Sequence, residues 1–425
     1  MMRTPTLARR RAAIAAAALA LLGACSKDAE LKLTTPPAAG TFMQRYVAIG
    51  NSITAGYQSG GINDSTQALS YPVLIAAAAG VPFNVPSLNK PGCTAPVVNF
   101  LTQARVGGAT AAQCFGRAAS SITNQLNNVA VPGANSFDPT GQQGGGSNTL
   151  TTLILGGRTQ VERALDVDPT FASVWIGNND VLGPATQGTT TGVTDSATFI
   201  VNYNAMIGNL RSRNAGLKGV LIGVVDVTAV PILVPLALFV PGSAAYQPTL
   251  VQALQAQFTG GKPIVPAPNC TANTTARKVF PALQAELTAL AANPALPVVP
   301  LACAPLTLPG TAVTIGAAGT LDPTEVAFFQ ARVAGWNAYI AAKADSIGFA
   351  YYNPNTLLAQ QASTGAIPPF PNLANPARPF GPLISNDGVH PGSPAHTLLA
   401  RGIIGAINTK YGSTIDATKV PDQAP

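Results

Sequence analysis

The sequence predicts an α/β protein, a three-layer α/β/α sandwich around a central parallel sheet, and three observations point there. Apolar runs of strand length, such as Tyr46-Val47-Ala48-Ile49-Gly50, show no alternation, as strands covered on both faces do. Helical patterns lie between these runs, which is the order of an α/β fold. Gly-, Pro- and Asn-rich stretches at about 57–126, 134–157 and 227–320 break the alternation and read as long loop insertions, which in compact domains are often functional.

Taken in order, the chain opens on an export signal. Arg3, Arg9, Arg10 and Arg11 precede the apolar run 12–22, which is too short to span a bilayer and has the flanks of a signal peptide. Its end, Leu22-Gly23-Ala24-Cys25, resembles a bacterial lipobox, which implies cleavage after residue 24 and a lipid on Cys25. Residues 25–43 are polar and proline-rich, as a tether between lipid and domain should be. Ser26 behind the lipidated cysteine resembles outer-membrane sorting, so the expected location is the bacterial cell envelope, anchored in the outer membrane. The domain proper is expected over 44–412 and a tail over 413–425. Its scattered motifs suit one domain with insertions better than two units.

Removing the four leading arginines from the 24 basic residues leaves 20 against 17 acidic ones, a net charge of +3 where the whole chain has +7. The remainder holds no cluster of Lys and Arg interleaved with aromatics, which excludes nucleic acid as an expected partner. Without Cys25 an even set of four cysteines remains, Cys93, Cys114, Cys270 and Cys303, and an oxidising compartment lets them pair. Three connectivities are open. The expected one joins near neighbours, Cys93 with Cys114 and Cys270 with Cys303. Metal binding is the alternative, but no Cys-x-x-Cys spacing exists and the histidines lie far downstream. No metal or organic cofactor is implied.

Beyond the first strand, the expected strands are Val129–Val131, Ala172–Ile176, Gly219–Val225 and Phe349–Tyr352. The clearest helix start is Asp322-Pro323-Thr324-Glu325, where Asp322 can cap, Pro323 fits the first turn and Glu325 completes a capping box for a run to about Ser346. The segment Pro231–Pro241 is strongly apolar but proline-broken. It is expected to be core, with an acyl-chain wall or lid as its functional alternative.

Chemistry concentrates in four short segments. Asp387-Gly388-Val389-His390-Pro391 holds one of only two histidines, with a carboxylate three positions ahead that can orient the imidazole. Such a base would serve a hydroxyl nucleophile, and Ser52 in Gly50-Asn51-Ser52-Ile53-Thr54-Ala55-Gly56 stands where the first strand exits, at the carboxyl edge where open α/β sheets carry their sites. Two further segments, Asn128-Val129-Ala130-Val131-Pro132-Gly133 and Gly177-Asn178-Asn179-Asp180, offer donors for an oxyanion. Singly, each has a plain structural reading as a helix cap, Asx turn or left-handed turn residue.

In this order and spacing the four segments resemble the SGNH hydrolases, the GDSL esterase and lipase family, in the form of a bacterial lipoprotein and over nearly the whole mature chain. The resemblance implies a sheet of flavodoxin-like order and a serine hydrolase acting on ester bonds, a carboxylesterase or lipase. Carried over residue by residue, it implies Ser52 as nucleophile, His390 as base, Asp387 as its orienter, and an oxyanion hole of the Ser52 N–H, the Gly133 N–H and the Asn179 side chain. The chain departs from the family pattern at Asn51, where Asp is usual, a position that is not the triad acid. His396, the other histidine, follows a helix start at Ser393-Pro394 and reads as structural. Asp180 reads as a loop anchor rather than a triad member. The expected substrate is a lipid or short-chain carboxylester. The alternatives are an O-acetylated polysaccharide, or a catalytically idle lipoprotein that binds glycans or lipids.

Overall fold

A computed structural model describes residues 42–122, 125–141 and 149–424. The stretch expected to be a signal peptide, Cys25 and most of the expected tether lie outside the described residues, as does most of the Gly141–Asn148 tract. Four parallel strands form the centre: β1 (Tyr46–Gly50), β2 (Phe171–Trp175), β3 (Lys218–Ile222) and β4 (Ala350–Tyr352), in the spatial order β1-β2-β3-β4. Tyr46 pairs with Phe171, Phe171 with Lys218, and Val220 with Ala350. All five residues of β1 and of β2 are buried, as their unbroken apolar character requires.

The expected strand at Val129–Val131 is reduced to a ladder fragment on the outer edge of β1. The Val129 and Val131 N–H groups donate to Ala48 and Gly50 at 3.0 and 3.2 Å, and a single parallel bridge joins Ala48 to Asn128. The ladder ends at Val131, whose partner Gly50 is the last residue of β1. With this edge included, the chain steps to one side of β1 and then to the other. The carboxyl end of β1 is therefore the topological switch point, where doubly wound sheets bind their ligands.

Alternate side chains leave the sheet on opposite faces. Tyr46, Ala48, Phe171, Trp175, Val220 and Ile222 meet α2 (Tyr71–Ala79) and α7 (Ser393–Tyr411) in one buried cluster. Val47, Ile49, Ala172, Val174 and Leu221 meet α4 (Ser196–Arg211) and α5 (Pro323–Ser346) in another. These are the three layers. Helix α5 begins as its sequence dictates: the Asp322 side chain accepts from the Thr324 and Glu325 N–H groups, and Glu325 reaches back to the Asp322 N–H. Helix α2 corrects the reading of 57–126 as wholly outside the alternation. Its Pro72 near the amino end, apolar run and Gly80 cap make a short, deeply buried helix that belongs to the layer shared with α7.

The stretch 227–320 is also more regular than expected. It holds helices at Pro248–Phe258 and Phe280–Ala291 and a three-stranded sheet at Leu233–Pro235, Arg277–Val279 and Thr320–Leu321. Its apolar residues, Leu233, Phe239, Leu283 and Leu301 among them, continue the buried cluster on the α4 and α5 side without a break. Pro231–Pro241 is core, with Leu233, Val234 and Leu236 fully buried. Disulfides join Cys93 to Cys114 and Cys270 to Cys303. The chain after Gly412 turns back onto α7, where Val420 is fully buried and its carbonyl accepts from Arg401.

Candidate active site

Strand β1 ends in a turn too tight for any side chain at position 50. A Cβ on Gly50 would lie 2.2 Å from Thr54 Oγ1 and 2.9 Å from the Trp175 carbonyl oxygen. Asn51 caps the four-residue helix α1 (Ser52–Ala55), its Oδ1 accepting from the Ile53 N–H at 3.1 Å. Asn51 thus does the capping, and Ser52 becomes the first helical residue. Its N–H has no acceptor inside so short a helix, which leaves it to face a ligand.

Ser52 Oγ lies 2.8 Å from His390 Nε2, and His390 Nδ1 lies 2.8 Å from Asp387 Oδ2. The three residues are 338 positions apart from first to last, and only the fold brings them together. Asp387 Oδ1 also accepts from the N–H groups of Val389 and His390, both at 2.9 Å, so the Asp-x-x-His segment closes on itself. Burial by itself would push the Asp387 carboxyl up. Attraction to His390 and the hydrogen bonds from the His390 ring and the two N–H groups outweigh it and hold the carboxyl well below its usual range. The Tyr57 ring packs against the imidazole with centroids 5.0 Å apart.

Asn179 lines the same cleft as Ser52 and His390, and Gly133 precedes Ala134, whose carbonyl the Asn179 amide reaches. Gly133 is exposed, in a left-handed turn at φ 84°, and its N–H has no hydrogen-bond partner among the described residues. Asn179 opens α3 (Asn179–Gln187) just past β2. One of its amide hydrogens is committed to the Ala134 carbonyl at 2.8 Å, and the other remains for a ligand. Asp180 ties the two loops together, its oxygens accepting from the Ser136 N–H at 2.7 Å and the Ser136 hydroxyl at 2.6 Å. Burial raises its pKa, and the Ser136 and Thr194 hydroxyls lower it in part. The carboxylate reads as the loop anchor expected of it. His396 lies fully buried on α7, where its Nδ1 accepts from the Tyr71 N–H at 3.2 Å. Burial first, then the charge of His390, pushes it down to about 3, so it stays neutral and structural.

From Ser52 and His390 an apolar cleft, open to solvent at its mouth, runs between α3, α7 and α6 (Pro354–Ser363). Leu182, Val230, Leu357, Leu358, Ile367 and Leu398 are among its walls. The Pro231–Pro241 segment does not line it. Sequence reading missed this wall: α6 shows a legible start at Asn353-Pro354, but nothing local says that Leu357 and Leu358 face a cleft rather than the core.

A serine, imidazole and carboxylate in hydrogen-bonded sequence at the switch point of a parallel sheet, with free N–H donors alongside, define a hydrolase-type α/β protein. The profile of the GDSL-like lipase/acylhydrolase family matches residues 46–403, and the chain belongs to that family of ester-hydrolysing proteins. No curated protein matches the chain.

Proposed function

We propose that the protein is an exported serine carboxylester hydrolase, of carboxylesterase or lipase type, that takes substrates with an extended acyl chain. The observation that carries this is the junction of the Ser52-His390-Asp387 relay with an apolar cleft. His390 takes the Ser52 proton as Oγ attacks the ester carbonyl, and Asp387 steadies the imidazolium that forms. The negative oxygen is met by the N–H groups of Ser52 and Gly133 and the spare amide hydrogen of Asn179. His390 then protonates the leaving alcohol, and water, activated by the same base, releases the acid from Ser52. The walls of the cleft are apolar, so an acyl chain longer than acetyl removes apolar surface on both sides from water at about 25 cal/mol per Å². This favours lipid esters over O-acetylated polysaccharide.

The cell envelope is the proposed location, with anchoring in the outer membrane through a lipid on Cys25. The arginine-led apolar leader and the two disulfides support it, since such bonds persist in oxidising compartments. The test is hydrolysis of p-nitrophenyl esters from acetyl to palmitoyl by the chain lacking residues 1–25, with Ser52→Ala alongside. Turnover that is lost in the variant and peaks beyond acetyl is expected. A peak at acetyl would instead indicate the polysaccharide esterase, and no turnover on any ester would leave a binding lipoprotein.

A further inference from the structure

The triad acid is held from outside its own loop. Besides its bonds within 387–390, Asp387 Oδ2 accepts from the Gly60 N–H at 2.8 Å, and Oδ1 accepts from the Ser385 hydroxyl at 3.1 Å. Ser385 Oγ in turn accepts from the Ser59 N–H at 2.8 Å, and the Asn386 N–H donates to Ser59 Oγ at 3.1 Å. Ser59 sits at φ 53°, a left-handed conformation that costs a non-glycine residue free energy and persists only where its surroundings impose it.

Those surroundings are the segment 93–97. Ile62 N–H donates to the Thr94 carbonyl and Cys93 N–H to the Ile62 carbonyl at 2.9 and 2.8 Å, while Val97 N–H donates to the Ser59 carbonyl at 2.7 Å. The Thr94 hydroxyl and the Arg105 guanidinium both donate to the Gly60 carbonyl at 2.9 Å. Packing is so close that a Cβ on Gly61 would lie 2.4 Å from the Pro96 nitrogen. Segment 93–97 is itself tied by the Cys93–Cys114 disulfide, whereas Cys270–Cys303 lies in the stretch 227–320 and touches none of these groups.

We propose that the disulfide-stapled turn at Ser59-Gly60, together with Ser385, is the positioning device for the triad acid: it fixes the Asp387 carboxylate against His390, and closure of Cys93–Cys114 keeps it there. Ser385, Ser59 and Gly60 are positioning residues and touch no substrate. This rests on the serine hydrolase reading of the site, but one of its measurements does not.

The experiment uses the full chain and compares Ser385→Ala, Ser385→Thr, the pair Cys93→Ser/Cys114→Ser and the pair Cys270→Ser/Cys303→Ser. The first readout is the low-field proton resonance of the His390 Nδ1–H···Asp387 hydrogen bond, assigned by its loss in His390→Asn. The second is kcat and KM on the best p-nitrophenyl ester. Ser385→Ala and the Cys93/Cys114 pair are expected to shift or broaden the resonance and to lower kcat about 10- to 100-fold with KM little changed, as a misplaced base would. Ser385→Thr, which keeps the hydroxyl, should restore both, and the Cys270/Cys303 pair should alter neither. A wild-type resonance and kcat in Ser385→Ala overturn the proposal, and do so even if the Cys93/Cys114 pair fails to fold. A resonance that responds as expected in a chain that hydrolyses no ester would sink the hydrolase reading and leave the positioning intact.

Discussion

Replacing Asp387 by Asn is nearly isosteric, and the hydrogen bonds around the carboxylate dictate its effect. Oδ1 accepts three donors, the Val389 and His390 N–H groups and the Ser385 hydroxyl, while Oδ2 accepts two, His390 Nδ1–H and the Gly60 N–H. An amide has one oxygen, and the larger set of donors claims it. The NH2 group then faces Gly60 and His390. Two donors cannot share a hydrogen bond, so the imidazole takes the other tautomer, with its proton on Nε2 directed at Ser52 Oγ 2.8 Å away. In that form it cannot accept the serine proton. We expect kcat to fall about 10³- to 10⁴-fold, roughly 4 to 5.5 kcal/mol of barrier, with KM little changed. The Gly60 N–H left without an acceptor should cost about 1–3 kcal/mol of stability, visible as a lower urea midpoint in a chain that still folds. Steady-state kinetics across the ester series, alongside urea unfolding, measures both. A variant retaining kcat to within about threefold would refute the argument and remove Asp387 from the relay.

Asn179→Ala should lower kcat by roughly 10²–10³ with little change in KM, because the spare amide hydrogen acts on the developing oxyanion; an unchanged kcat would take Asn179 out of the site. Leu358→Trp fills part of the cleft, so the chain-length optimum should move toward shorter acyl groups while hydrolysis of acetyl esters persists. An unmoved optimum in the ester series would place the acyl chain elsewhere. His396 carries a pH signature: the unfolded chain takes up its proton near 6.5 and the folded one only at about 3, so the unfolded state binds more protons between these values. Stability should therefore hold above pH 6.5 and fall as the pH drops toward 3, by roughly 4 kcal/mol from this residue. His396→Asn keeps an acceptor near the Tyr71 N–H and removes the titration, which should flatten urea-unfolding stability over that window; an identical slope in both proteins would rule out the burial argument.

Local sequence determined the parts whose physics is local. The apolar runs of β1 and β2 could only be strands buried on both faces, and Asp322-Pro323-Thr324-Glu325 starts α5 through contacts within four residues. Asp387 and His390 are three positions apart and their closed segment is self-contained, so the motif and its geometry are the same fact. The order of the four segments was likewise sufficient to assign the family. Tertiary structure alone decided what depends on distant elements meeting. It brought Ser52 to His390, made α2 part of a layer that composition read as insertion, and turned Leu357 and Leu358 of α6 toward the cleft while Pro231–Pro241 went into the core. It also set a turn at Ser59-Gly60 against an aspartate 327 residues further on. The reason is that an apolar side chain carries no mark of which apolar surface it will meet, and a backbone N–H carries no sequence at all. Only packing chooses their partners.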